Sequence, residues 1–433
     1  MKRILTVTML ALVCLAARAQ QIFSISAGPG EDASTSIGIS WACEPGMAQT
    51  YVEYTRTSDK NWKRCKTAMA KQQVLWTAFD GVFSDNEKGE PFYENARFTK
   101  CGVMLEKLVP DCEYKYRIRT ITPGGECSGE HFFKTAGADN WSCCVISDFH
   151  SYPPLPGRLS SAMAMIDTMK VVDPSLDWIF CPGDVVAWGG SYSFWKRYFE
   201  EDNVAGYMWA RANGNHDNWT KESQITHDFH IPNDYFLGTS YYPQNSYPSQ
   251  MGVNYHFRYG NTLFIMLNTE DMYDQEEFEK AQAWTRNVIR AARVKSDAPV
   301  FIVVCLHYEW FIGTNGKTSE FGRWHNLFDE LGVDLAVAGN NHVYVRTEPI
   351  YDGKVSGTSK GTVYLQTPSS DNGRGRKLHE TDFFNSDLIK VRWTEGAHTV
   401  GAVHMSVTPK TMTLKLLDRS GAVVDETVIS KKK

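Results

Sequence analysis

No Cys-x-x-Cys pair occurs in the 433 residues, so a thiolate metal site of that spacing is excluded. There is no internal repeat and no low-complexity segment, which removes solenoids and compositional tracts. Basic clusters are missing and the formal net charge is −5, which argues against a dedicated nucleic-acid or anionic-membrane surface. Beyond the first residues no run of ~18 apolar residues appears, so no later membrane span is expected. What is present suits a folded chain: 42% of residues are hydrophobic and 22% charged, which rules out disorder. The length suggests two domains, or one with an appendage, and leaves the oligomeric state open.

The chain opens with Lys2 and Arg3, the apolar run "ILTVTMLALVCLAA", and "RAQQ". Charge, a short apolar core and Ala17-x-Ala19 predict a signal peptide over 1–19, cut near Ala19/Gln20; an uncleaved anchor is the alternative. Val13 is bulky where a lipoprotein signal places a small residue, which disfavours a lipid on Cys14. Cleavage makes the chain more acidic and gives a soluble protein, secreted or periplasmic. Export permits disulfides among Cys43, Cys65, Cys101, Cys112 and Cys127 without fixing their pairing. Cys143, Cys144, Cys181 and Cys305 lie in apolar runs and read as small core residues.

Two rhythms divide the rest. Over 20–137, short alternating stretches such as "SIGISW", "TYVEYT" and "EYKYRIRTIT" predict an all-β sandwich without clustered histidines or carboxylates. Over 138–433, apolar strands alternate with amphipathic helices, the pattern of an α/β domain whose sheets are covered on both faces. Phe321, Trp324, Leu327, Phe328 and Leu331 form one helical stripe; Phe278, Ala281, Trp284 and Val288 form another. The end of the chain returns to hairpin-like alternation around "DRSGA".

Chemistry concentrates where strands finish. "CVISDFH" ends with Asp148 and His150, "WIFCPGD" with Asp184, "YMWARANGNHD" with Asn215, His216 and Asp217, "FIVVCLH" with His307, and "DLAVAGNNH" with Asn340 and His342. Ligands of open α/β sheets collect beyond such carboxyl ends. One strand-end Asp is more often a helix cap, and one Gly-Asn-His-Asp stretch a turn. Five polar ends in succession point to convergence on one volume. Carboxylate, imidazole and amide oxygen together suit Mn, Fe, Zn or Mg-like ions, and this many donors suits two ions sharing a bridging carboxylate.

The order Asp-x-His, Gly-Asp, Gly-Asn-His-Asp, His, Gly-x-x-His resembles the calcineurin-like metallophosphoesterases. With the N-terminal sandwich it is most similar to the purple-acid-phosphatase branch. The resemblance implies a four-layer α/β/β/α sandwich preceded by a fibronectin type III-like domain, and two divalent or trivalent ions (Fe, Mn or Zn). It implies Asp148, His150, Asp184 and His342 on the first ion, Asp184 bridging, and Asn215, His307 and Asn340 on the second. His216 would be catalytic, beside the substrate. Two positions depart from the family. The purple enzymes carry Tyr, and other members an acid that orients the catalytic His, where this chain has Ala187; the protein should lack tyrosinate–iron colour. The last motif's first histidine is replaced by Asn340, a weaker donor that favours Mn²⁺ or Fe²⁺ over Zn²⁺; a turn cap is the alternative.

The expected activity is hydrolysis of a small phosphomonoester by a metal-bridged hydroxide, with Trp219 and Tyr308 flanking the substrate. A phosphodiesterase of the same fold, and a weakened surface or glycan-binding protein, are the alternatives. The aromatic stretch with Tyr235, Phe236, Tyr241, Tyr242 and Tyr247 reads as a substrate wall or a packing loop. Arg374, Arg376 and Lys377 read first as a solvated loop.

Overall fold

Strands that are apolar on both faces need cover on both, and the chain supplies it with two sheets packed face to face and helices outside each. The computed structural model describes residues 22–44, 47, 49–64, 70–76, 96–219, 240–311, 320–358, 360–371, 373, 375 and 387–431. The expected signal peptide, Cys65, Tyr235, Phe236, Arg374, Arg376 and Lys377 lie outside these residues.

In the first sheet β1 (Trp141–Val145), β2 (Trp178–Cys181) and β3 (Met208–Arg211) run parallel. In the second, β4 (Thr262–Met266), β5 (Phe301–Cys305), β6 (Leu335–Ala338) and β7 (Val363–Gln366) do the same. Alternate residues face opposite ways. Val145, Trp178, Phe180, Phe264, Val303 and Leu335 fill the space between the sheets. Trp178 is fully buried there, with Tyr259 stacked at 5.1 Å and Phe264 edge-on at 5.1 Å. The opposite faces carry helices. Cys144, Ile179 and Trp209 pack against α1 (Gly157–Val172) and α2 (Tyr192–Phe199). Ile265, Val304 and Ala336 pack against α3 (Gln275–Arg293) and α4 (Glu320–Leu331). This is the four-layer arrangement expected.

The N-terminal β-sandwich is present too. A strand over Glu113–Thr120 alternates strictly, with Tyr114, Tyr116 and Ile118 buried. Trp41 Nε1 donates to Thr50 Oγ1 at 2.9 Å, linking the two sheets of that sandwich. The sandwich is not insulated from the α/β region: its strand Ile22–Pro29 pairs in parallel with β3, so one ten-stranded sheet crosses from one region into the other. The C-terminal strands Gly401–Val407, Thr411–Asp418 and Val423–Ser430 pair antiparallel and extend the same sheet beside β1. No disulfide joins the described cysteines. Cys143, Cys144, Cys181 and Cys305 are buried, as expected of small apolar residues.

The α4 stripe is as expected, with Phe321 half-buried at its edge. The α3 stripe turns by one residue: Thr285 and Ile289, not Trp284 and Val288, continue the buried face behind Phe278 and Ala281. Trp284 instead lies half-buried and donates through Nε1 to the Asn245 carbonyl at 3.0 Å, a bond that suits a ring with one polar edge. Asp274 caps α3 by accepting from Glu276 N at 2.8 Å and Glu277 N at 3.0 Å.

Asp173 ends α1 and ties it to the sheet, accepting from Ser142 Oγ at 2.6 Å and facing His404 Nε2 at 2.8 Å. Burial alone raises its carboxyl, but hydrogen bonds from Ser142, Ser175 and His404 outweigh it and lower the pKa from 3.8 to about 2. The unfolded chain takes up the proton first, so the contribution is complete above about pH 4 and vanishes as pH falls toward about 2. Asp173→Asn is expected to flatten the stability–pH slope between those limits, by on the order of 1 kcal/mol after solvent screening. Urea titrations at stepped pH measure it.

Candidate metal centre

Each donor follows a strand whose last residues are locked in the sheets. After β1 the chain turns so that Asp148 N donates to the Gly183 carbonyl at 3.2 Å and His150 N to the Asp184 carbonyl at 3.1 Å. The loops after β1 and β2 are thereby stitched together. Nine described non-glycine residues have positive φ, and five of them are Asp148, His150, Asp184, Asn340 and His342. Such backbone costs about 1–3 kcal/mol per residue and persists only where surroundings enforce it. Here it turns side chains of successive loops inward. Gly339 permits the approach: a Cβ there would stand 2.6 Å from Asp148 Oδ2.

Asp184 is central. Its Oδ2 lies 3.2 Å from His150 Nε2 and its Oδ1 3.3 Å from His307 Nε2. His307 Nε2 is also 3.1 Å from Asn215 Oδ1, and His342 Nε2 is 3.6 Å from Asp148 Oδ1. Three groups of donors converge, with atoms within 4.8 Å of one another in each: Asp148, His150 and His342; His150, Asp184 and His216; Asp148, Asp184 and His307. All these residues are buried.

The imidazoles are aimed by their far nitrogens. His150 Nδ1 meets Asp371 Oδ2 at 3.0 Å, His216 Nδ1 the Ala187 carbonyl at 2.8 Å, and His307 Nδ1 the Pro182 carbonyl at 3.0 Å. A carbonyl only accepts, so Nδ1 of His216 and of His307 carries a proton and the Nε2 edge is turned toward the donor cluster. Buried, acceptor-rich and pre-aimed, the donor set fits a cation.

Residues 143–344 match the family model of the calcineurin-like phosphoesterases. The matched span carries all the strand ends described above, from Asp148 and His150 to Asn340 and His342. An uncharacterized protein of Mycobacterium tuberculosis, found in two strains, is 28% identical over 172 residues, 36% of this chain and 31% of the relative. The chain thus spans about a third of the length of the curated relatives it matches. Among solved structures, a purple acid phosphatase from yellow lupin (Lupinus luteus) seeds has a TM-score of 0.73 at 17% identity, covering 95% of this chain and 74% of that one. PhoD has a TM-score of 0.58 at 14% identity, covering 96% of this chain and 93% of that one. At these identities the likeness is one of fold.

Around the donor cluster the electrostatics follow from burial of several carboxylates together. Burial raises the Asp148 carboxyl to about 6, against the pull of His307 and His150. Burial also acts to raise Asp184, but the charges of His307 and His216 and a hydrogen bond from His150 hold it well below its usual range. Burial opposes charge on His307, yet Asp184 and then Asp148 lift it to about 10. Without a cation, imidazolium balances the carboxylates; a cation takes over that role and releases the protons.

Ala187 has no acid to orient His216, and its main-chain carbonyl meets Nδ1 instead. Four acids of the site were not assigned a role from the sequence. Asp217 accepts from Asp184 N (2.9 Å), Val185 N (2.9 Å), Val186 N (3.1 Å) and Gly214 N (3.0 Å), and so holds two ligand loops together. Asp371 supports His150. Glu270 is buried, which raises its carboxyl to about 7, and hydrogen-bonds Tyr308. Glu309 accepts from Asn340 Nδ2. Trp219 lies on His216, ring centroids 3.9 Å apart, and Tyr308 meets His307 at 5.8 Å and Tyr273 at 5.8 Å. Of the aromatic stretch, Tyr242 stacks on Tyr255 at 4.3 Å and its hydroxyl accepts from Arg211 Nε at 2.9 Å, while Tyr241 covers Gly38 and Gly102. Those two tyrosines pack against the sheet.

Removing the Asp217 carboxylate strands four buried N–H donors. Asp217→Ala is expected to cost about 3 kcal/mol or more, since each unsatisfied buried donor costs about 1–3. Chemical denaturation measures it, and bound metal should fall in parallel.

Proposed function

We propose that the chain is an exported metal-dependent phosphomonoesterase with two ions sharing Asp184. The observation that carries this reading is the placement of His150 against one Asp184 oxygen and His307 against the other, each within a different donor group. In this reading Asp148, His150 and His342 hold the first ion, and Asn215, His307 and Asn340 the second. The ions are Fe, Mn or Zn, with Mn²⁺ or Fe²⁺ favoured at the second position because amide oxygen is a harder, weaker donor than imidazole. Such ions, when bound, neutralise phosphoryl oxygens and lower the pKa of an attacking water.

The chain's own residues do the rest. Ala187 fixes the His216 ring so that Nε2 faces the substrate, where it hydrogen-bonds a phosphoryl oxygen or protonates the departing one. Trp219, lying on that ring, limits its rotation and forms a wall for the ester group. Tyr308, held by Glu270, forms the wall beside His307. Export rests on the signal-like residues 1–19, and no described helix is long and apolar enough to cross a membrane.

Elemental analysis combined with nitrophenyl phosphate and bis(nitrophenyl) phosphate under added Mn, Fe or Zn tests the reading. Two ions per chain and faster monoester turnover are expected; preferential diester turnover, or none with any metal, overturns it. His216→Ala should lower kcat by roughly 10²–10⁴ with metal content retained, whereas Asp184→Ala should lose metal as well.

A further inference from the structure

Asn340 stands where the resemblance places an imidazole, and an asparagine in that role has a difficulty histidine lacks. Its amide ends in one acceptor and one two-proton donor of nearly the same shape, and only the oxygen can bind a cation. A ligating asparagine needs a neighbour that selects which end is presented. The neighbour here is Glu309, two residues after His307. It is 4% exposed, and its Oε2 accepts from Asn340 Nδ2. A carboxylate oxygen takes the NH₂ end and leaves Oδ1 on the other side of the amide carbon. The backbone is held too: Asn340 N donates to Asp148 Oδ1 at 3.0 Å, which fixes the residue at the rim of the donor cluster, and its φ is +68°. Glu309 is itself anchored, its carbonyl accepting from Glu320 N at the start of α4 at 3.1 Å.

We propose that Glu309 is a positioning residue that presents the Asn340 amide oxygen to the second cation, so that the Glu309–Asn340 pair replaces one histidine. This rests on the two-ion reading above. Glu309 belongs to none of the three donor groups, which suits a residue acting through another. A carboxylate at position 340 would need no such selection, since both its ends are oxygens. Next to Glu309 it would be repelled instead.

Manganese titration calorimetry of the chelator-stripped protein tests the pair in two backgrounds. In the native chain Glu309→Ala is expected to weaken the second equivalent of Mn²⁺ about 10-fold or more, as outer supporting partners do. In an Asn340→Asp background the same change should leave that equivalent unchanged or tighten it. Glu309→Gln, of the same shape, should give a smaller loss in the native background and serves if the alanine variant misfolds. Equal losses in both backgrounds would assign Glu309 a purely structural role and overturn the proposal, as would no loss in the native chain. A native chain binding a single ion overturns the two-ion reading and this inference together; two ions with no effect at Glu309 overturns only the inference.

Discussion

One carboxylate with an imidazole against each oxygen sets the terms for the whole site. Asp184 is 1% exposed, and neither His150 nor His307 has any exposed surface. Burying several ionisable groups in so small a space is costly unless every charge is matched. The matching here is layered: carboxylates against imidazoles, imidazole Nδ1 atoms against carbonyls and Asp371, and the loops themselves against Asp217. The left-handed backbone at five donor positions is a consequence, because only tightly reversed loops bring side chains from different strand ends to a common point.

Much of this was legible in the sequence. Donor residues follow apolar strands at five places, and the sheets bring those places together. The layers also follow from the one-dimensional pattern, since runs such as Phe301–Cys305 are apolar throughout and require two covers. The α3 stripe was less secure, because Trp284 is large and apolar yet has an N–H that draws it toward the Asn245 carbonyl.

The supporting residues were not legible, for a physical reason. Asp371 lies 221 positions from His150, and an isolated acid in "SSDNG" reads as a turn former. Glu309 sits between two aromatics with nothing to mark its partner 31 positions on. The Ala187 contact uses a main-chain carbonyl, which every residue type possesses and which therefore leaves no trace in composition. Side chains that bind directly are recognised by type; groups that aim them are recognised by position alone.

The shared sheet has a consequence for how the two regions can be separated. Strand Ile22–Pro29 meets the outer flank of Met208–Arg211, the strand that leads into Asn215 and His216, at Ala27 and Met208, and the Tyr242 hydroxyl takes over at Trp209 O and Arg211 N. Excision of the N-terminal sandwich would open that edge at Met208 and uncover Tyr241 and Tyr242, which pack against Gly28, Gly38 and Gly102, an invitation to intermolecular contact. The sandwich is thus a selvedge for the sheet that carries the donor loops as well as a neighbour, and a shortened protein lacking it should be prone to stick to itself before its chemistry can be assayed.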